Sequence, residues 1–128
     1  MISARTQNVR ITVETSYQNQ QFPNFKGEHM FAYRITIHNQ SEYTIKLLRR
    51  HWHIVDLTHC NTEVEGEGVV GQQPLLEPGE SHQYVSGCAI KSDIGKMYGT
   101  YLMERQLDGV RFEVKIPEFM LVVPCRNN

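Results

Sequence analysis

Residues 31–38 read FAYRITIH, with a large apolar side chain at every second position. Residues 9–13 (VRITV) and 110–116 (VRFEVKI) repeat the alternation. A period of two is typical of β-strands that turn one face to a core and the other to water. No segment combines a sustained apolar stripe of helical period with capping residues. The sequence therefore predicts an all-β protein.

Turn signals divide the alternating runs at hairpin spacing. Asp108-Gly109 separates two of the runs and is a strong signal for a short β-hairpin. Pro78-Gly79 fits a type II turn, because proline fixes φ and glycine accepts a positive φ. About seven strands at this spacing predict an antiparallel β-sandwich of the immunoglobulin or fibronectin type III kind, with a small barrel as the alternative.

An apolar run at residues 118–123 lies between Pro117 and Pro124. Proline lacks an amide donor and belongs at strand ends or edges, so we expect this run to be a separate last strand. The run is apolar at both parities from Phe119 onward, which requires a cover on each face. We expect that cover to come from the same molecule.

The strand through residues 44–56 needs a core side and a water side. Trp52 is the single tryptophan and has the largest apolar area, so its side is expected to be buried. The residues predicted on the core side are Leu48, Trp52 and Ile54. Those predicted on the water side are Arg49, His51 and His53.

Length and charge exclude several classes of protein. The chain has 128 residues, which indicates one domain over 1–128, with an ordered core at about 8–124. Its formal net charge of -1 argues against binding nucleic acid or anionic membranes through bulk charge. No apolar stretch reaches the ~18 residues of a membrane span, and the N-terminus lacks the pattern of a secretion signal. Three cysteines, an odd number, indicate a reduced, cytoplasmic protein.

Histidines and acids concentrate in residues 51–90, which hold six acidic residues and no lysine or arginine. His51 and His53 are two apart on a strand, so their imidazoles point the same way and could share a divalent ion. Further ligands could come from one face of a second strand, with neighbours ~6.5 Å apart: Glu63, Glu65 and Glu67. A solvated strand face is the simpler interpretation, and a weak, exchangeable cation site is the alternative.

Residues 66–71 (GEGVVG) match the G-x-G-x-x-G pattern of phosphate-binding loops. Such a loop must open a helix, but Pro74 disfavours one here, and the surrounding pattern is all-β. Adjacent glutamates would also repel phosphate. We therefore interpret Gly66, Gly68 and Gly71 as structural and retain nucleotide or polyphosphate binding as a second alternative.

The polar stretch at residues 15–29 contains Phe22 and Phe25, which could contact a partner or cover an open end of the sandwich. We group Phe22 and Phe25 with the outward residues Arg49, His51 and His53 as a candidate protein-binding surface. No pattern of nucleophilic catalysis is present, and the cysteines are interpreted as structural thiols.

The chain resembles the bacterial ApaG family over about residues 9–124. The segments that carry the likeness are 31–33 (FAY), 47–52 (LLRRHW), 64–74 (VEGEGVVGQQP), 76–80 (LEPGE), 84–87 (YVSG), 97–103 (MYGTYLM) and 116–119 (IPEF). The resemblance implies a fibronectin- or immunoglobulin-like sandwich and no established enzyme reaction. It also implies two roles seen among relatives, cobalt resistance with magnesium efflux and protein–protein contact. Histidine at position 53 is not usual in the family, so a two-histidine site would not be a family trait.

These observations lead to one preferred function and two alternatives. The preferred function is a non-enzymatic binding module that contacts an unidentified protein partner, without a cofactor and without nucleic acid. Divalent-cation homeostasis, direct or through a partner, is the first alternative, and nucleotide binding is the second. The sequence leaves homo-oligomerisation open.

Overall fold

The computed structural model of the chain describes residues 1–18 and 28–124, and these form nine β-strands. The strands are β1 (Ile2–Thr6), β2 (Val9–Tyr17), β3 (His29–Asn39), β4 (Ile45–Asp56), β5 (Thr62–Glu67), β6 (Leu75–Leu76), β7 (Ser81–Ile90), β8 (Ile94–Arg105) and β9 (Arg111–Val122). No helix is present among these residues, so none could span a membrane.

The strands form two antiparallel sheets packed as a sandwich, which confirms the predicted fold class. The four-stranded sheet has the order β1-β2-β3-β7, and the five-stranded sheet has the order β5-β4-β8-β9, with β6 beside β4. Nine strands replace the predicted seven, partly because β6 has only two residues and is too short to show a period. In the described chain β5, β9, β1 and β7 lie at sheet edges.

The core lies between the inward faces of both sheets. Trp52 is 3% exposed, which confirms its predicted burial. Its ring lies 5.5 Å from that of Tyr33, 6.4 Å from Tyr101 and 5.9 Å from Phe119, measured between centroids. Aromatic pairs at these distances contribute beyond the area that they bury. Strand β4 is thereby fixed with its opposite face toward solvent.

The predicted inward position of Leu48 is wrong, because β4 contains a bulge. Leu47 pairs with Met103, but the next pair is Arg49 with Leu102, so Leu48 has no partner on β8. Leu47 is 1% exposed and takes the core position. A bulge residue reverses the alternation, and sequence period alone does not reveal one. Beyond the bulge, Arg50 has the same parity as Trp52.

Strand β9 also departs from the prediction, since it runs through Pro117 instead of starting after it. Its pairing with β8 shifts between Met97 and Gly99, which leaves two residues of β9 opposite one of β8. This bulge accommodates a proline inside the strand. The expected cover on both faces of the run is wrong too, because Met120 and Val122 are 50% and 51% exposed.

Both predicted turns are present. The backbone N–H of Arg105 bonds to the carbonyl of Val110 at 2.8 Å, which closes the β8–β9 hairpin around Asp108-Gly109. The N–H of Glu80 bonds to the carbonyl of Glu77 at 2.9 Å, with a positive φ at the intervening glycine, as a type II turn requires.

Candidate functional site

The outer face of the five-stranded sheet brings His51, His53 and Glu63 together. Strand β4 places the two imidazoles on this face, and β5 places Glu63 directly opposite His53. The His51 Nε2 atom lies 3.0 Å from Glu63 Oε2, and His53 Nδ1 lies 3.9 Å from Glu63 Oε1. One possible ligand atom from each of the three residues lies within 4.8 Å of the others. We call these three residues the imidazole cluster.

Aromatic rings adjoin the imidazole cluster on the same face. The ring centroids of His51 and His53 are 4.5 Å apart. The ring of His53 stacks on Tyr98 of β8 at 4.8 Å and 10°. Lys96 Nζ lies 5.9 Å from the Tyr98 centroid. Both imidazoles therefore contact a neighbouring ring.

Two further acidic residues of the predicted set lie along the same edge. Glu65 Oε1 is 3.7 Å from His51 Nε2, so it borders the cluster. Glu67 lies opposite the exposed Arg49 in the register of β5 with β4, and it is not part of the cluster. Phe22 and Phe25 lie outside the described residues.

Two imidazole nitrogens and one carboxylate are ligands that zinc and cobalt accept. Three ligands leave coordination positions for water, as in exchangeable or catalytic sites rather than closed structural ones. Because these imidazoles and the carboxylate lie on an exposed sheet face, they can also form polar contacts with another protein.

Strand β5 forms the border of this face and is a sheet edge. It pairs with β4 and with no other strand of the described chain. Its exposed acidic residues alternate along the strand: Glu63, Glu65 and Glu67. The acidic side chains of this edge are exposed, and the carbonyl of Glu67 at its end accepts a hydrogen bond from Arg50.

The glycine-rich loop after β5 is a tight turn. Gly68 has a φ of +63° and Gly71 of +75°. A Cβ at Gly68 would lie 2.1 Å from the carbonyl oxygen of Gln72. The backbone of Gln72 also bonds to Val69 in both directions, at 2.7 and 3.0 Å. No helix follows among the described residues, so the helix N-terminus that binds phosphate in dinucleotide folds is not formed.

Arg50 was missed in the sequence analysis, and it lies at the inner side of the same loop. Its Nη1 donates hydrogen bonds to the carbonyl oxygens of Glu67 and Gly68 at 2.9 and 3.0 Å. The sequence offered one signal for its inward position, since residues 50 and 52 have the same parity and therefore point to the same side of a strand. A lone charged residue on a core face is rarely expected, because burial of a charge is costly.

Several ionisable groups between the sheets are held in their protonated form. Burial, and then the charges of Asp56 and Glu28, raise the pKa of the Cys88 thiol to about 11. Burial also raises the pKa of the Tyr84 and Tyr101 hydroxyls, which are hydrogen-bonded to each other. A thiol with a raised pKa is a poor nucleophile at neutral pH.

Comparisons with known proteins agree with this architecture. The ApaG domain family model matches residues 19–105. Protein ApaG of Brucella canis is 44% identical over 124 residues, which cover 97% of this chain and 95% of the relative. Protein ApaG of Sinorhizobium fredii is 42% identical with the same coverage. A crystal structure from Bordetella pertussis, described as an ApaA protein, superposes with a TM-score of 0.84 at 40% identity, covering 91% of this chain and 94% of that one. The chain therefore belongs to the ApaG family.

Proposed function

We propose that the chain is a non-enzymatic binding module, and that its binding surface is β5 with the adjoining outer face of the five-stranded sheet. The observation that carries this proposal is the exposed, acidic edge of β5, which pairs only with β4 among the described strands. The raised pKa of Cys88 supports a non-catalytic role, since the thiol is protonated at neutral pH.

The chemistry of this edge favours a basic, extended segment of another protein as the partner. An exposed sheet edge can accept a strand through backbone hydrogen bonds. Glutamates at every second position would face each other if two copies paired here, and like charges directly opposite are destabilising. Lysine or arginine side chains of a different protein would be attracted instead. The stacked rings of His53 and Tyr98 provide an aromatic anchor beside the edge.

Quantitative capture from a cell extract tests the role of these charges. The triple variant E63Q/E65Q/E67Q removes the acidic row, and E14Q/E42Q/E77Q removes the same charge from exposed positions elsewhere. Opposite-charge cross-strand pairs contribute roughly 0.2–1 kcal/mol each. We therefore expect about tenfold less of a specific partner on the first variant and no loss on the second. Equal capture by both variants would contradict the proposal.

A divalent transition-metal ion is a second candidate ligand, favoured by one observation. The imidazole cluster places three possible ligand atoms within 4.8 Å of one another, and the ring of His53 stacks on that of Tyr98. Zinc or cobalt suits this set, whereas magnesium prefers oxygen ligands.

Calorimetric titration with Zn²⁺ and Co²⁺ in excess Mg²⁺ tests the metal candidate. We expect one ion per chain, with at least about tenfold weaker binding to H51A and to H53A. H38A is the matched control on β3 and should bind normally. Absence of saturable binding, or equal weakening by all three variants, would remove this candidate without affecting the protein-binding proposal.

A further inference from the structure

A cavity of about 350 Å³ lies between the two sheets, where the edge strands β5 and β7 approach each other. Tyr33 and Tyr84 line it from one sheet, and Arg50 and Trp52 line it from the other. Val70 at its rim is 63% exposed, so the cavity opens to solvent. Small-molecule sites typically have volumes of about 300–1,000 Å³, mainly apolar walls and a few convergent polar groups.

The position of Arg50 in this cavity depends on a glycine. Gly66 lies directly opposite Arg50 on β5. A Cβ at Gly66 would lie 2.9 Å from both Nη atoms of Arg50, so a side chain there would push the guanidinium away. The first glycine of the G-x-G-x-x-G pattern thus gives an arginine room to enter the sandwich.

The charge of Arg50 has no acidic partner in the described chain. No carboxylate oxygen there lies within 4.0 Å of the guanidinium. Among the described residues its guanidinium donates two hydrogen bonds, both from Nη1 to loop carbonyls, although a guanidinium has five N–H donors. The side chains of Tyr33 and Ser86 add polar groups to the same cavity. A half-buried cation without a counter-charge is suited to an anionic ligand.

We propose that this cavity binds a small organic monocarboxylate with an apolar body. The planar guanidinium matches a carboxylate in geometry, and the donors on Nε and Nη2 would face it. The apolar body would lie against Trp52, Val69 and Met97. Phosphate fits less well, because the loop turns carbonyl oxygens toward the guanidinium and these repel a doubly charged anion. The cavity lies on the inner side of β4 and β5, whereas the proposed protein-binding surface is the edge and outer face of β5, and carboxylate binding is measured without any protein partner.

The single tryptophan lines the cavity and reports on its occupancy. Titration with benzoate, phenylacetate, benzamide and inorganic phosphate is followed by Trp52 fluorescence and by thermal unfolding. We expect benzoate or phenylacetate to give a saturable change and a higher Tm. Benzamide has nearly the same shape without the charge, and it should bind at least about tenfold more weakly, as should phosphate.

Variants on neighbouring residues separate the role of Arg50 from general charge. R50Q should weaken carboxylate binding by about tenfold or more, while R49Q on the solvent side of β4 should not. If R50Q does not fold, the comparison of benzoate with benzamide on the unmodified chain still decides. Equal binding of the two, tighter binding of phosphate, or no saturable change with either carboxylate would overturn the proposal.

Discussion

The turn at residues 68–72 gives a quantitative test of whether the glycines are structural. In Gly68→Ala and Gly71→Ala, alanine must adopt a positive φ, which costs about 1–2 kcal/mol. The two positions differ in space, since a Cβ at Gly68 would lie 2.1 Å from the Gln72 carbonyl oxygen, whereas nothing lies within 4 Å at Gly71. Moving Gln72 would also break its two hydrogen bonds with Val69, at roughly 1 kcal/mol each.

We therefore expect Gly71→Ala to lower the free energy of unfolding by about 1–2 kcal/mol and Gly68→Ala by about 3–4 kcal/mol. Urea unfolding followed by circular dichroism and Trp52 fluorescence measures both. Equal losses, within about 0.5 kcal/mol, would show that the close approach to Gln72 has no energetic consequence. A Gly68→Ala variant as stable as the parent chain would refute the structural interpretation and favour a ligand-binding loop.

Three further predictions concern the core and its ionisable groups. Trp52→Ala should cost about 3–5 kcal/mol in urea unfolding, and a loss below about 1 kcal/mol would contradict its burial. Burial raises the pKa of Asp56, but hydrogen bonds from the β7–β8 turn, two of them from backbone N–H groups at 2.7 and 2.9 Å, lower it below its ordinary value. The ionised Asp56 therefore stabilises the fold fully above pH ~4, and this stabilisation is lost as the pH falls through the lowered pKa. The loss of unfolding free energy in Asp56→Asn should thus be smaller in acid than at neutral pH. A loss that does not change with pH would contradict this. In a Cys125→Ser variant, iodoacetamide at pH 8 should label the exposed Cys60, whereas Cys88, whose pKa is about 11, should react only after the chain unfolds. Labelling is measured by mass spectrometry, and equal labelling of the two cysteines in the folded chain would refute this prediction.

The alternation of apolar and polar residues predicted which side chains face solvent wherever a strand has no bulge. His51 and His53 follow the solvated side of β4, and the antiparallel pairing with β5 brings Glu63 and Glu65 beside them. The spacing predicted that these glutamates share a face, but it could not show that β5 pairs with β4. That pairing depends on contacts between residues distant in the chain.

Bulges mark the limit of prediction from period. The bulge at Leu48 reverses the parity of β4, so that Leu47 takes the core position, and the bulge at Pro117 allows β9 to continue through a proline. Each depends on the partner strand having one residue fewer, which no local pattern records. The cavity was missed for a different reason: Arg50 shares the parity of Trp52, but a charged residue is rarely expected on a core face, and no local pattern shows that Gly66 lies opposite it.

Site-specific photo-crosslinking tests the central claim, that the β5 edge is the binding surface, most directly. A benzophenone amino acid replaces Thr62 on β5 or, as a control, Ser3 on the edge strand β1; both positions are exposed. After irradiation in cells, the account predicts a discrete adduct with another protein from position 62, absent from position 3 and lost in E63Q/E65Q/E67Q. No adduct from position 62, the same adduct from both positions, or an adduct that persists without the glutamates would contradict it.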